Sequence, residues 1–322
     1  MKCLESLHVQ ALHKALQTHQ DRKARPARML PHRDKLSQAW LTALPGPLTH
    51  IPSPEFTQAA MAWHLLTPSP ACQPHLGKMI CGKPLDQFGE TLMCATLPFN
   101  SWRVRHDKVK MEIQSLGLES GLIVNTKPFG LFSHLIPANA YLETGQLHHH
   151  RERQGLISDF LVASPSDHGH QAAQLCELKL ISAGATYYKS GNGDRSVDVR
   201  ARQLPRIYQD KAKNIDRVYC GTTEGQVGPV QCRLEQFGEL AGFVIGQFCK
   251  GSHDLHQYLI KCENEKTKRQ ARASGSSVSD FKSQILQQLR RRLFVCSINT
   301  RHAIVLSAFT LGSHGGHSQG RG

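Results

Sequence analysis

The stretch LISDFLVASPSDHGHQAAQLCELKLIS, residues 156–182, decides how the chain is read. Two runs rich in apolar and β-branched residues, Gly155 to Ala163 and Gln174 to Ser182, flank the polar, turn-forming SPSDHGHQ and together predict a β-hairpin. Both runs carry charge: Asp159 interrupts the first, Glu177 and Lys179 the second. Alternation along a strand puts Glu177 and Lys179 on one face, and the hairpin brings Asp159 beside Glu177. Charges inside LCELKLI are not explained by core packing, because buried Glu and Lys need partners. One explanation is an edge strand whose Glu177 and Lys179 face water. The other is a site in which two carboxylates give oxygen ligands to Mg²⁺ (or Mn²⁺), while the lysine orients or activates water and stabilises phosphate charge.

Working outward, Val109, Met111, Ile113 and Leu116 predict a helix from Arg105 to Leu116 that ends at Gly117, and Leu122 to Asn125 reads as a short strand. After the hairpin, Val197, Ala201, Leu204, Tyr208, Ala212 and Ile215 recur at three- and four-residue steps, predicting an amphipathic helix over Ser196 to Asp216 with Pro205 as a kink. LAGFVIGQF, Leu240 to Phe248, is continuously apolar and reads as a fully buried strand. Helices follow around Ser252 to Lys266 and Val278 to Ser297. The predicted order from Asp107 to Phe248 is helix, three strands, helix, strand.

An acid two residues before a lysine is weak as a bare pattern, since roughly one is expected by chance in a chain of this length. It occurs here as Asp21/Lys23, Glu177/Lys179 and Asp280/Lys282. Asp21 lies in a basic arm, and Asp280 falls at a helix start, where capping and the helix dipole account for it. Only Glu177 lies inside an apolar strand.

The SDF and ELK segments, the element order around them, and the helix bearing RARQLPRIYQ resemble the PD-(D/E)XK, or restriction-endonuclease-like, nuclease core. The resemblance implies an α/β (α+β) fold with an αβββαβ core, a mixed central sheet and flanking helices. It implies Asp159, Glu177 and Lys179 as the catalytic triad, with Asp159 and Glu177 holding Mg²⁺. Gln203 falls where some members carry an accessory catalytic polar residue; Tyr208 is read as core packing and Tyr188 is a weaker candidate. Glu112 is the candidate for the acid that some members carry on the first helix. Ser158 stands where the nominal Pro would be.

Residues 1–70 form a basic, helical or irregular N-terminal region, with Leu4, Leu7, Val9, Leu12 and Leu16 at near-helical spacing and a second helical piece from Lys35 to Leu44. Residues 71–106 contain Cys72, Cys81, Cys94 and His106, ligand types that zinc prefers, although no Cys-X-X-Cys knuckle is present and free thiols explain them better. CGKPLDQFGETLMC followed by RHD, together with AWLTALP at 39–45, resembles the C-terminal part of retroelement-type open reading frames, but lacks the His expected near Thr91. The nuclease-like domain is expected over 107–306, with a disordered tail over 307–322.

Among the 322 residues, 39 Lys and Arg face 25 Asp and Glu, giving a net charge of +14 and a pI near 9.5. Such a surplus points to a polyanionic partner, nucleic acid ahead of a membrane surface, and the nuclease resemblance makes DNA the expected substrate. His148, His149, His150, Arg151 and Arg153, and the run Arg290, Arg291, Arg292, would contact its backbone or simply face water. No apolar run reaches bilayer-spanning length and the start is not shaped like a signal peptide, so the expectation is an intracellular protein, nuclear in a eukaryote. Ten scattered Cys fit a reducing compartment better than a disulfide framework. The rivals to a nuclease are an inactive nucleic-acid-binding module derived from a mobile element, and an unrelated α/β domain whose charges serve solubility.

Overall fold

The computed structural model describes residues 34–39, 68–80, 83–87, 89, 92–93, 101–126, 128, 130–132, 134–135, 156, 158–165, 173–181, 196–246, 249–275 and 277–314. The arm before residue 34, Cys81, Cys94, the histidines 148–150, Arg151, Arg153 and Tyr188 lie outside the described residues.

A mixed four-stranded sheet forms the centre. Its strands are β1 (Ile123–Thr126), β2 (Phe160–Ala163), β3 (Ala173–Leu180) and β4 (Ala241–Ile245), lying in that order. β1 with β2 and β2 with β3 are antiparallel, the latter pairing Phe160 with Cys176, whereas β3 with β4 is parallel. A parallel neighbour cannot be reached by a tight turn. The chain crosses over through α2 (Ser196–Tyr219) and the short α3 (Pro229–Glu235) before entering β4. β4 is buried at all five positions, as its continuous apolar run predicts. It is also an edge strand. Its outward N–H groups are taken by side chains at the start of α4 (His253–Ser274): Gly242 N donates to Asp254 Oδ2 at 2.8 Å and Val244 N to Ser252 Oγ at 3.0 Å.

Helices cover both faces. Against one, Phe160, Cys176, Leu178 and Phe243 pack under α1 (Ser101–Ser120), α4 and α5 (Val278–His314), with the Phe160 and Phe243 ring centroids 5.8 Å apart. Against the other, Leu175 and Val244 pack under Val197, Ala201, Leu204 and Tyr208 of α2, the stripe read from the sequence. Each large side chain so enclosed contributes about 1.5–3 kcal/mol. α2 runs on through Pro205 to Tyr219. Where it crosses β4 the backbones approach so closely that a Cβ on Gly242 would lie 2.7 Å from Ala201 Cα.

Four elements differ from the sequence reading. α1 passes through Gly117 and ends at Gly121, whose φ of +96° and paired bonds, Leu122 N to Gly117 O and Gly121 N to Leu118 O, form a Schellman stop. Gly117 serves packing instead: a Cβ there would stand 2.3 Å from Tyr258 Oη and 2.5 Å from Val124 Cγ2. α3 was not expected, because its capping acid is remote in sequence. The fully buried Asp216 of α2 accepts from Val230 N at 2.9 Å and Gln231 N at 3.0 Å. α5 extends beyond Ser297 to His314, so residues 307–314 are helical, where composition predicted a tail. Residues 34–39 are docked on the domain: Leu36 is in the core beneath α4, and Asp34 holds both Leu36 N and His256 Nε2. Among the described residues, no helix is long and apolar enough to cross a membrane.

Candidate active site

The β2–β3 ladder ends at the Phe160–Cys176 pair, and the residues next beyond it are Asp159, just before β2, and Glu177 of β3. Their carboxylates take different partners, Glu177 on the α2 side and Asp159 on the α1 side. Cations and N–H donors surround both. β3 is a central strand and Glu177 is only 8% exposed, so the edge-strand explanation for Glu177 does not hold.

Glu177 points toward α2, on the same face as Leu175. Its Oε1 accepts from Lys179 Nζ and its Oε2 from Tyr208 Oη at 2.7 Å. The Tyr208 ring packs in the core as the sequence predicts, while its hydroxyl fixes Glu177. Burial, followed by the Glu177 charge and hydrogen bond and the Asp159 charge, pushes that hydroxyl far above its ordinary range, so it stays protonated and donates. Lys211, one turn further along α2, holds its ammonium 5.3 Å from the Tyr208 ring centroid. Burial lowers its pKa; the Glu177 charge opposes that shift and the Lys179 charge adds to it.

Asp159 lies at the start of β2, and its carboxylate reaches across the ladder, with Oδ2 accepting from Leu178 N at 3.0 Å. Two basic groups of α1 meet it there. His106 Nε2 is 3.3 Å from Asp159 Oδ2 and 3.3 Å from Leu178 O, and Lys110 Nζ is 3.5 Å from Asp159 Oδ1. Burial acts to raise the Asp159 carboxyl, but the hydrogen bond and charge of His106, the Leu178 N–H and Lys110 together outweigh it and hold the group below its ordinary value. Burial acts to lower His106, and the Asp159 hydrogen bond and charge, the Leu178 carbonyl and Asp107 overcome it, so the imidazole is raised and holds its proton more firmly.

Of the residues anticipated from sequence, Glu177 and Lys179 are in contact on the α2 side, while Asp159 turns its carboxylate to Leu178 N and to His106 and Lys110 of α1. Gln203 joins neither group: it is exposed and accepts from Arg200 Nη1 at 3.4 Å, and five residues of helix turn it about 140° away from Tyr208. Glu112 is also elsewhere, accepting from Arg292 Nε of α5 at 3.0 Å. Arg292 in turn reaches Glu119, so that member of the arginine run is an interhelical tie. Cys72 and His106 are not partners. Cys72 is buried with Leu85 and Leu92 against Ile304 and Val305 of α5, while His106 turns to Asp159, so His106 is not available to a zinc site with Cys72. His106 as a partner of Asp159, and Lys110 and Lys211 altogether, were missed. The signal for the first two was available, because His106, Lys110, Ile113 and Gly117 recur at three- and four-residue steps beside the core stripe of α1.

Among the described residues no three His, Cys, Asp or Glu side chains converge as a metal cage. The fit to a divalent ion rests on Asp159 and Glu177 as hard oxygen donors: Asp159 Oδ2 is taken up by Leu178 N and His106 Nε2, while Asp159 Oδ1 and the two Glu177 oxygens keep accepting capacity. Comparisons with protein-family models, with curated proteins and with solved structures gave no match.

Proposed function

We propose that this chain is a metal-dependent phosphodiesterase acting on nucleic acid, expected to be DNA, on a restriction-endonuclease-like core. The observation that carries it is the position of Asp159 and Glu177 next beyond the last Phe160–Cys176 pair of β2 and β3, with Lys179 on Glu177. The order α1, β1, β2, β3, α2, β4 and the sheet pairing fit that core, and the +14 charge suits a polyanionic substrate. Asp159 and Glu177 would hold Mg²⁺ or Mn²⁺, which when bound supplies Lewis acidity toward a phosphoryl oxygen and makes water more acidic. The protein's own part is orientation. Tyr208 fixes the rotamer of Glu177, and the Leu178 N–H fixes Asp159. Lys179, whose side chain is 39% exposed, can turn its ammonium from Glu177 to a phosphate oxygen or to the attacking water.

A second reading, a nucleic-acid-binding module without catalysis, is favoured by one observation: α1 offers His106 and Lys110 to Asp159, while its acid Glu112 is spent on Arg292. Plasmid and single-stranded oligonucleotide incubated with Mg²⁺ or Mn²⁺ separate the two. Phosphodiesterase activity should need the metal and vanish in Glu177→Gln and Lys179→Ala with DNA affinity retained. Salt-sensitive binding without cutting supports the module, and cutting that survives both substitutions removes the site.

A further inference from the structure

The part of α1 that meets the carboxylates is basic. Lys110 is 5% exposed, its ammonium takes no hydrogen bond among the described residues, and it is held by charge alone, 3.5 Å from Asp159 Oδ1 and 3.5 Å from Asp107 Oδ1. An ammonium so enclosed is retained only because anions face it. On the other side of the same carboxylate stands His106. Hydrolytic sites that use two divalent ions set them about 3.5–4 Å apart and need carboxylates enough to bridge and balance both. Here two carboxylates are already matched by Lys179 and Lys110, and Lys110 places its positive charge on the Oδ1 side of Asp159, where a second ion would otherwise sit.

Resting on the phosphodiesterase reading, we infer that Lys110 is a built-in replacement for a second cation, so that Asp159 and Glu177 take up a single divalent ion. Lys110 acts through Asp159. It is a positioning residue that orients the carboxylate, and it weakens ion binding by its own charge. The alternative, in which the ammonium reaches substrate, fits poorly with its burial.

The probe is Mn²⁺ alone, titrated into the full chain and followed by electron paramagnetic resonance of the free ion and by calorimetry, without substrate. The wild type is expected to bind one Mn²⁺ per chain, lost in Asp159→Asn. Lys110→Met should bind one ion about tenfold more tightly, as removal of a charge near a divalent ion requires. Lys110→Arg should restore wild-type affinity, and Lys110→Glu, which adds an oxygen donor, should bind two. Two ions on the wild type, or unchanged or weaker affinity in a folded Lys110→Met, overturn this inference and leave the phosphodiesterase reading standing. No Mn²⁺ on the wild type at millimolar concentration overturns both. If Lys110→Met does not fold, the wild-type stoichiometry and Lys110→Arg still decide.

Discussion

Replacing Asp159 by Asn tests the electrostatics of the site without a large change of shape. The amide oxygen can still accept from Leu178 N, but His106 at 3.3 Å and Lys110 at 3.5 Å lose their anion. At such distances and an effective dielectric near 20, each attraction is about 5 kcal/mol before desolvation is subtracted, and removing one partner of a buried pair costs about 3–5 kcal/mol net. With the Asp159 side chain 13% exposed and one hydrogen bond kept, the low end applies, about 3 kcal/mol at pH 5.5. The loss depends on pH. His106 is raised from 6.5, so its contribution is complete below that value and fades as pH rises through the higher folded value. Asp159 is lowered from 3.8, so its contribution is present above that value and fades only as pH falls through the lower folded value. At pH 9, well above the ordinary imidazole range, the His106 contribution should be reduced and the cost should shrink toward about 2 kcal/mol. Urea unfolding of wild type and variant at both pH values, with equal m-values, gives the two differences. A cost below about 1 kcal/mol at pH 5.5, or one that does not change with pH, refutes the pairing of a charged His106 with Asp159.

Further expectations concern single contacts. Tyr208→Phe removes the hydroxyl that donates to Glu177 Oε2 and should cost about 2 kcal/mol in urea unfolding; an unchanged midpoint would show that the hydroxyl does not hold Glu177. Asp216→Ala leaves two buried N–H groups of α3 without an acceptor and should cost about 3 kcal/mol, read as a lower thermal midpoint. Gly117→Ala drives a methyl into Tyr258 and Val124 and should cost about 3 kcal/mol, far more than an exposed helix glycine would; a gain in stability would mean that the helix and β1 do not approach as described.

The parts legible in sequence are those whose partners are near in the chain or whose pattern repeats. β4 announces itself as five apolar residues in a row, and α2 by its stripe from Val197 to Ile215, because burial on two faces or on one leaves a period. Glu177 and Lys179 stand out because charge inside an apolar strand demands a reason. What stayed hidden depends on contacts between distant segments. Gly117 has the form of a helix stop, and only the approach of Tyr258 shows that it is a gap for a neighbour. α3 has a glycine where a capping side chain is sought, since the cap comes from Asp216 on the preceding helix. The anticipated acid of α1, Glu112, was chosen by residue type, but orientation on the helix decides, and the side turned to Asp159 carries His106 and Lys110 instead.

The closure of β4 by Ser252 and Asp254 bears on how the chain avoids sticking to copies of itself while it is being made. A parallel strand waits for its crossover, and a fully apolar one with a bare margin invites pairing between molecules. Here Ser252 Oγ donates to Gly242 O across a separation of only ten residues while accepting from Val244 N, so the margin is sealed by the chain that follows at once. Because residues 252–254 follow β4 directly and precede α5, the groups that seal this margin are synthesised before the helix that covers the sheet. Ser252→Ala should therefore raise aggregation during synthesis more than it lowers the stability of molecules already folded.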